Sequence, residues 1–103
     1  MIVIEMNKGL KIPYEESGNL IIFDDDLSIN LAKREQDEVV QIDVCLSSDR
    51  SLVIGAAAGR SYIAQIEIPA REYVIKGEGE DEKRLPVPFD MEKVKLQLFA
   101  MNI

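Results

Sequence analysis

Apolar residues alternate with polar ones in three long segments of this chain, and this period of two most restricts the possible fold. In a strand, successive side chains point to opposite faces, so alternation predicts strands with one buried face and one wet face. The apolar members of the three segments are Val40, Ile42, Val44 and Leu46; Tyr62, Ala64, Ile66 and Ile68; and Val94, Leu96, Leu98 and Ala100.

The spacing of turn signals extends this prediction to a fold class. Glycine, proline, serine and aspartate clusters separate short apolar segments, which gives roughly eight short strands and the turn spacing of a sandwich or small barrel. The sequence therefore predicts an all-β protein: an antiparallel two-sheet sandwich, jelly-roll-like or Ig-like, with residues 1–103 as a single domain. The immunoglobulin signature itself is absent, because the chain has one cysteine and no tryptophan.

Local composition predicts the structure of the segments in which apolar and polar residues do not alternate. Residues 15–19 have the composition of a polar turn, and the short apolar run Leu20–Phe23 predicts a strand. Residues 32–38 are expected to be an exposed connection with at most one helical turn. Residues 76–84 are charged and contain glycine, which predicts an exposed excursion. Asp90 is expected to cap a helical turn before the last strand.

Composition argues against several classes of function. The chain has no histidine, one cysteine (Cys45) and a formal net charge of -7. It therefore lacks the commonest general base and zinc ligand, and we expect no enzyme and no cofactor. Its negative surface disfavours nucleic acid and membrane as partners. A single cysteine is typical of intracellular proteins, so a cytoplasmic location is expected.

Two motifs resemble ligand sites. Asp24, Asp25 and Asp26 form an acidic turn that offers oxygen ligands for calcium, but the spacing of an EF-hand loop is not met. Since such clusters are usually solvated turns, no metal is predicted, and these three residues are the only candidates carried forward. Gly55 and Gly59 flank three alanines, yet no Gly-Lys-Ser/Thr follows and Ser61 opens a predicted strand, so a phosphate loop is not expected.

Some apolar residues fall on or near the phase opposite the main core set. Antiparallel sheets usually leave that second face polar, so apolar residues there predict cover from a second layer, a loop or another chain. Because so small a domain has little material to cover both faces itself, another chain is favoured, either a second copy or a protein partner. Homo-oligomerisation is the preferred form of this prediction. The residues concerned are Val3, Ile22, Val39, Ile63, Phe99 and Met101.

Three segments resemble a known group of proteins. Residues 9–17 (GLKIPYEES), 36–46 (QDEVVQIDVCL) and 86–91 (PVPFDM) are similar to small uncharacterised proteins of prophage-type gene clusters. The resemblance implies a virion-structural or accessory role without catalysis, with a virion as the location if the chain derives from a phage. It carries over no functional residues.

Three functions remain open on the sequence. The first is a non-catalytic structural or protein-interaction module. The second is a ligand-binding β-domain, calcium-dependent through the acidic turns. The third is an enzyme that uses carboxylates, which ranks last because the chain has few aromatic residues and no tryptophan to line a sugar cleft.

Overall fold

A computed structural model describes residues 1–55 and 61–101 and shows an all-β protein. Residues 56–60, which hold most of the glycine-flanked alanine segment, lie outside the described residues. The described part also contains single turns of 3₁₀ helix at Ala32–Arg34, Gly79–Asp81 and Met91–Lys93. The strands are β1 (Ile2–Glu5), β2 (Tyr14–Ser17), β3 (Leu20–Phe23), β4 (Leu27–Asn30), β5 (Val40–Leu46), β6 (Leu52–Ile54), β7 (Ser61–Ile68), β8 (Tyr73–Lys76), β9 (Lys83–Pro86) and β10 (Lys95–Leu98).

These strands form three sheets in the described part of the chain. The largest has the order β1-β10-β7-β5-β6, the second β2-β3-β4, and the third is the hairpin β8-β9. All pairs are antiparallel except β1 with β10, which is parallel. The all-β prediction is confirmed, but ten strands in three sheets replace the predicted eight in two. The sequence missed β2 and most of β9 because both are exposed hairpin partners with polar residues and no buried face.

The core is one apolar cluster to which both larger sheets contribute. From the second sheet come Ile21, Phe23 and Ile29, and from the five-stranded sheet come residues such as Ile66 and Leu96, all nearly or fully inaccessible to solvent. Burial of alternate side chains along β3, β5, β7 and β10 follows the period of two in the sequence.

A β-bulge changes this period in the middle of the large sheet. Val44 pairs with Ala64, but Cys45 pairs with Tyr62, so Ile63 is an extra residue on β7. The extra residue shifts the phase of the strand. Ile63 is therefore only 1% exposed, whereas Tyr62, predicted to lie on the core phase, is 41% exposed.

Side-chain hydrogen bonds stabilise two local turns, and the first of them confirms the predicted cap at Asp90. The Asp90 carboxylate accepts the Glu92 N–H at 3.0 Å and caps the last 3₁₀ turn. In the turn between β5 and β6, the Asp49 carboxylate accepts bonds from the Ser47 hydroxyl and the Ser51 N–H. These bonds, that of Ser47 above all, hold the pKa of Asp49 below its usual range because they stabilise the ionised form.

The molecule is elongated. Its principal extents are 60 × 24 × 23 Å and its radius of gyration is 16.7 Å. A compact chain of this length has a radius of gyration of about 13 Å. The third sheet contributes to this shape, because β8 and β9 pack mainly on each other and their side chains are exposed.

Candidate functional site

The acidic turn has a conformation that accounts for its aspartates. Asp24 and Asp25 have φ values of 50° and 52°, and the Asp26 N–H donates to the Phe23 carbonyl at 2.9 Å. Positive φ at both central residues is the geometry of a type I′ hairpin turn, which aspartate tolerates better than most residues. The turn therefore joins β3 to β4 with all three carboxylates exposed.

A shallow cleft lies beside this turn. It is lined by Pro13, Tyr14, Glu15 and Ile22 together with Asp24 and Asp25. Within residues 1–55 and 61–101, no group of three acidic, histidine or cysteine side chains is arranged to hold a metal ion.

Calcium at millimolar concentration is expected to leave the melting temperature unchanged. An ion that binds only the native state must raise stability by mass action. Thermal unfolding with calcium and with magnesium as a control measures this. A rise specific to calcium that Asp24→Asn combined with Asp25→Asn removes would contradict the prediction and restore the ligand-binding alternative.

The predicted interaction face is not a single exposed surface. The prediction that Ile63 lies on this face is wrong, because the bulge turns its side chain into the core. Met101 is half-buried and packs against the core cluster, and Phe99 is half-buried with its N–H bonded to the Ile63 carbonyl at 3.0 Å. Ile22 is half-buried on the other sheet, and Val39, at 60% exposed, stands alone before β5.

The exposed apolar residues gather elsewhere, first on the β8–β9 hairpin. Val74 is 43% exposed, Ile75 is 65% and Leu85 is 39%. Val74 pairs with Leu85 and lies on one face, while Ile75 lies on the other. The hairpin, which we call the arm (residues 73–86), thus presents apolar side chains on both faces.

Polar side chains fix the base of the arm to the body. The Arg71 guanidinium donates to the Glu35 carboxylate at 3.3 Å, to the Glu35 carbonyl at 2.8 Å and to the Asp37 carboxylate at 3.3 Å. The Tyr73 hydroxyl also donates to Asp37. Interaction with Tyr73 and then hydrogen bonding to Glu35 raise the pKa of Arg71, because both favour its charged form.

A second set of contacts holds the other side of the base. The Lys93 ammonium lies 3.2 Å from the Glu72 carboxylate, and the Val87 N–H donates to the Glu72 carbonyl at 2.8 Å. These bonds and those of Arg71 tie the arm to the segments that precede β5 and β10. The arm is therefore held at its base and exposed along its length.

Positive and negative side chains occupy different parts of the arm. The strands carry cations at Lys76, Lys83 and Arg84, and the Arg84 guanidinium stacks 3.8 Å from the centre of the Tyr73 ring. Acidic residues fill the tip, at positions 78 and 80–82. The tip turn needs glycine at position 77, where φ is +96° and a β carbon would overlap the Asp81 carbonyl oxygen.

The second group of exposed apolar residues lies on β1 and at Met6, the residue after it. Ile2, Val3, Ile4 and Met6 are 47%, 42%, 39% and 46% exposed. β1 pairs with β10 along one side only, since β1 ends the strand order of its sheet. A run of three apolar residues on an open edge is the pattern that proteins usually avoid, because it templates pairing with another strand.

Other sheet edges in the described residues are protected. β2 carries Glu15 and Glu16, and β9 carries Lys83, Arg84 and Pro86. β4 exposes neither of its apolar residues, since Leu27 is half-buried and Ile29 is buried, and β6 is only three residues long. Charges, proline, shortness and a lack of exposed apolar side chains all discourage strand addition. β1 and β8 are therefore the most open edges of the part that the structure describes.

Comparison with family models, with curated proteins and with solved structures finds no match for this chain. Across residues 1–55 and 61–101, no helix combines the length and the hydrophobicity needed to cross a membrane.

Sequence reasoning missed both open edges as functional features. The signal for β1 was present, because Ile2, Val3 and Ile4 follow one another without a polar residue and so leave no polar face. The arm gave no such signal, since its anchor joins Arg71 to Glu35 and Asp37, more than thirty positions away.

Proposed function

We propose that this protein is a non-catalytic structural or protein-interaction module that contacts its partner through the arm. The observation that supports the proposal is an apolar hairpin held at its base and exposed along its length. An isolated two-stranded hairpin is marginally stable in water and usually needs a third strand or a packed face. In this protein the contacts at the base of the arm keep the hairpin ordered, and its exposed face remains available to a partner.

The polar cluster at the arm base supports a structural role for its residues. Hydrogen bonds join Arg71 to Glu35 and Asp37, and Tyr73 to Asp37, so these side chains position the arm.

The resemblance of residues 9–17, 36–46 and 86–91 to proteins of prophage-type gene clusters also favours a non-catalytic structural role for the protein. A structural or accessory component of a phage particle would use such an arm for assembly.

Replacing the arm beyond its base is expected to leave the body folded. In the variant, residues 74–85 are exchanged for an Asn-Gly turn between Tyr73 and Pro86. The arm adds no fully buried residue to the core, so the melting temperature should change by only a few degrees. Circular dichroism and calorimetry measure this, and Ile66→Ala, which truncates a core residue, supplies the scale of a structural loss.

A loss of stability as large as that of Ile66→Ala would contradict the proposal. The arm would then be part of the fold and its apolar residues would be explained without a partner. We expect the variant with the replaced arm to keep its stability. We expect it to lose either its function in the native host or its self-association.

A further inference from the structure

We propose that the partner of the arm is a second copy of this chain, whose β1 edge accepts β8 as an added parallel strand. The inference rests on the proposed function and specifies its partner. Each copy has both halves of the contact, an open β1 edge and an exposed β8 edge. Strand addition to an open edge is an established mode of recognition, in which backbone bonds provide affinity and side chains provide specificity.

The backbone of β1 shows which groups face the open edge. The Ile2 N–H donates to the carbonyl of Val94, the residue before β10, and the Met6 N–H donates to the carbonyl of Leu98 in β10, both at 2.8 Å. Bonding to one neighbour alternates along a strand, so Val3 and Glu5 direct their N–H and C=O groups away from β10. These two residues present the donors and acceptors that an added strand must meet.

The backbone of β8 follows the same rule. Because the Val87 N–H donates to the Glu72 carbonyl, residues 72 and 87 form a hydrogen-bonded pair. Every second pair along the hairpin is then bonded, which turns the backbone groups of Tyr73 and Ile75 outward. Pro86 falls at an outward position on β9, where its missing N–H costs no ladder bond.

These outward groups match in a parallel register. With Val3 beside Val74 of the second copy, the Val3 N–H reaches the Tyr73 carbonyl and the Ile75 N–H reaches the Val3 carbonyl. The Glu5 N–H then reaches the Ile75 carbonyl. A shift by one residue would bring outward groups of one strand against inward groups of the other and would remove these bonds.

The same register matches the side chains. The β1 sequence is Ile-Val-Ile-Glu and the β8 sequence is Tyr-Val-Ile-Lys. Three apolar residues lie beside three apolar residues, and Glu5 lies beside Lys76. Opposite charges on neighbouring strands stabilise a pair, and like charges destabilise it.

Two other pairings lack this match. The antiparallel register that joins the outward groups places Glu5 beside Tyr73, whose hydroxyl is already bonded to Asp37. Pairing of β1 with β1 of the second copy brings no lysine or arginine of the strand beside Glu5, because Glu5 is the only charged side chain of β1. Among these three pairings, the opposite charges of Glu5 and Lys76 therefore favour β1 with β8.

A charge exchange tests the contact. Sedimentation velocity from micromolar to millimolar concentration is measured for the wild type, Glu5→Lys, Lys76→Glu, an equal mixture of the two variants, and the double variant. We expect the wild type to associate and each single variant to associate about three- to tenfold more weakly, as like charges replace a pair. The mixture and the double variant should recover wild-type association, since both restore opposite charges.

A second pair of variants tests the backbone bonds without changing charge. Val3→Pro removes the outward N–H but no bond to β10, and it should abolish association. Val3→Ala keeps the N–H and should retain most of it. Melting temperatures of all variants verify that each is folded.

The outcomes separate this contact from the proposed function. A wild type that stays monomeric throughout, or association that neither mixing nor doubling restores, overturns the contact between β1 and β8. The stability of the variant with a replaced arm still decides whether the arm is an interaction element for a different protein. If that variant is destabilised like a core truncation, the proposed function fails whatever the wild type does in sedimentation.

Discussion

Phe23→Ala is expected to lower the free energy of unfolding by about 3–5 kcal/mol, the usual cost of removing a fully buried phenylalanine. Phe23 is 0% exposed at the end of β3 and belongs to the cluster that joins the two larger sheets. Truncation removes apolar contacts and leaves a cavity that neighbouring strands fill only in part. Urea unfolding followed by circular dichroism measures the change.

Phe23→Leu serves as the matched control, because it keeps an apolar side chain of branched shape in the same place. It should cost clearly less than the alanine variant. Equal stability of Phe23→Ala and the wild type would contradict the packing of the second sheet against the first. Two separate unfolding transitions in the wild type would contradict their shared core.

Ile63→Ala is expected to cost about 2–5 kcal/mol, the range for truncating a buried isoleucine. The bulge turns this side chain inward, and it is 1% exposed. The control is Ile75→Ala, which truncates the same side chain at a position that is 65% exposed. It should change stability by no more than about 0.5 kcal/mol when measured at low protein concentration.

This pair of variants distinguishes the structure from the simple alternation of the sequence. Without the bulge, Ile63 would lie on the second face and its truncation would resemble that of Ile75. A small effect of Ile63→Ala would therefore return Ile63 to the predicted interaction face. A large effect would confirm that Ile63 belongs to the core and not to the predicted interaction face.

The sequence predicted the strands that bury one face, and it did so for a physical reason. Ser61–Ile68 was predicted at its observed bounds, since burial of one face imposes a period of two. Leu20–Phe23 was also predicted at its observed bounds, from its continuous apolar run. The turn at Asp24 and the cap at Asp90 were predicted because side-chain hydrogen bonding and tolerance of positive φ are local properties.

Features that depend on distant partners were not predictable in this way. The bulge at Ile63 depends on how β7 aligns with β5, a relation that no local pattern records. β2 became a strand because Leu20–Phe23 folds back on Tyr14–Ser17, although Glu15 and Glu16 have low strand propensity. The anchoring of the arm through Arg71 likewise joins segments far apart in the chain.

Backbone hydrogen exchange, recorded residue by residue at low and high protein concentration, tests the central claim most directly. The account predicts that the amides of Val3, Glu5 and Ile75 exchange more slowly at high concentration, because each donates to the second copy. The Arg84 amide, which also faces outward but on the protected β9 edge, should exchange equally fast at both concentrations. Equal rates at both concentrations for Val3, Glu5 and Ile75 would contradict the addition of β8 to β1.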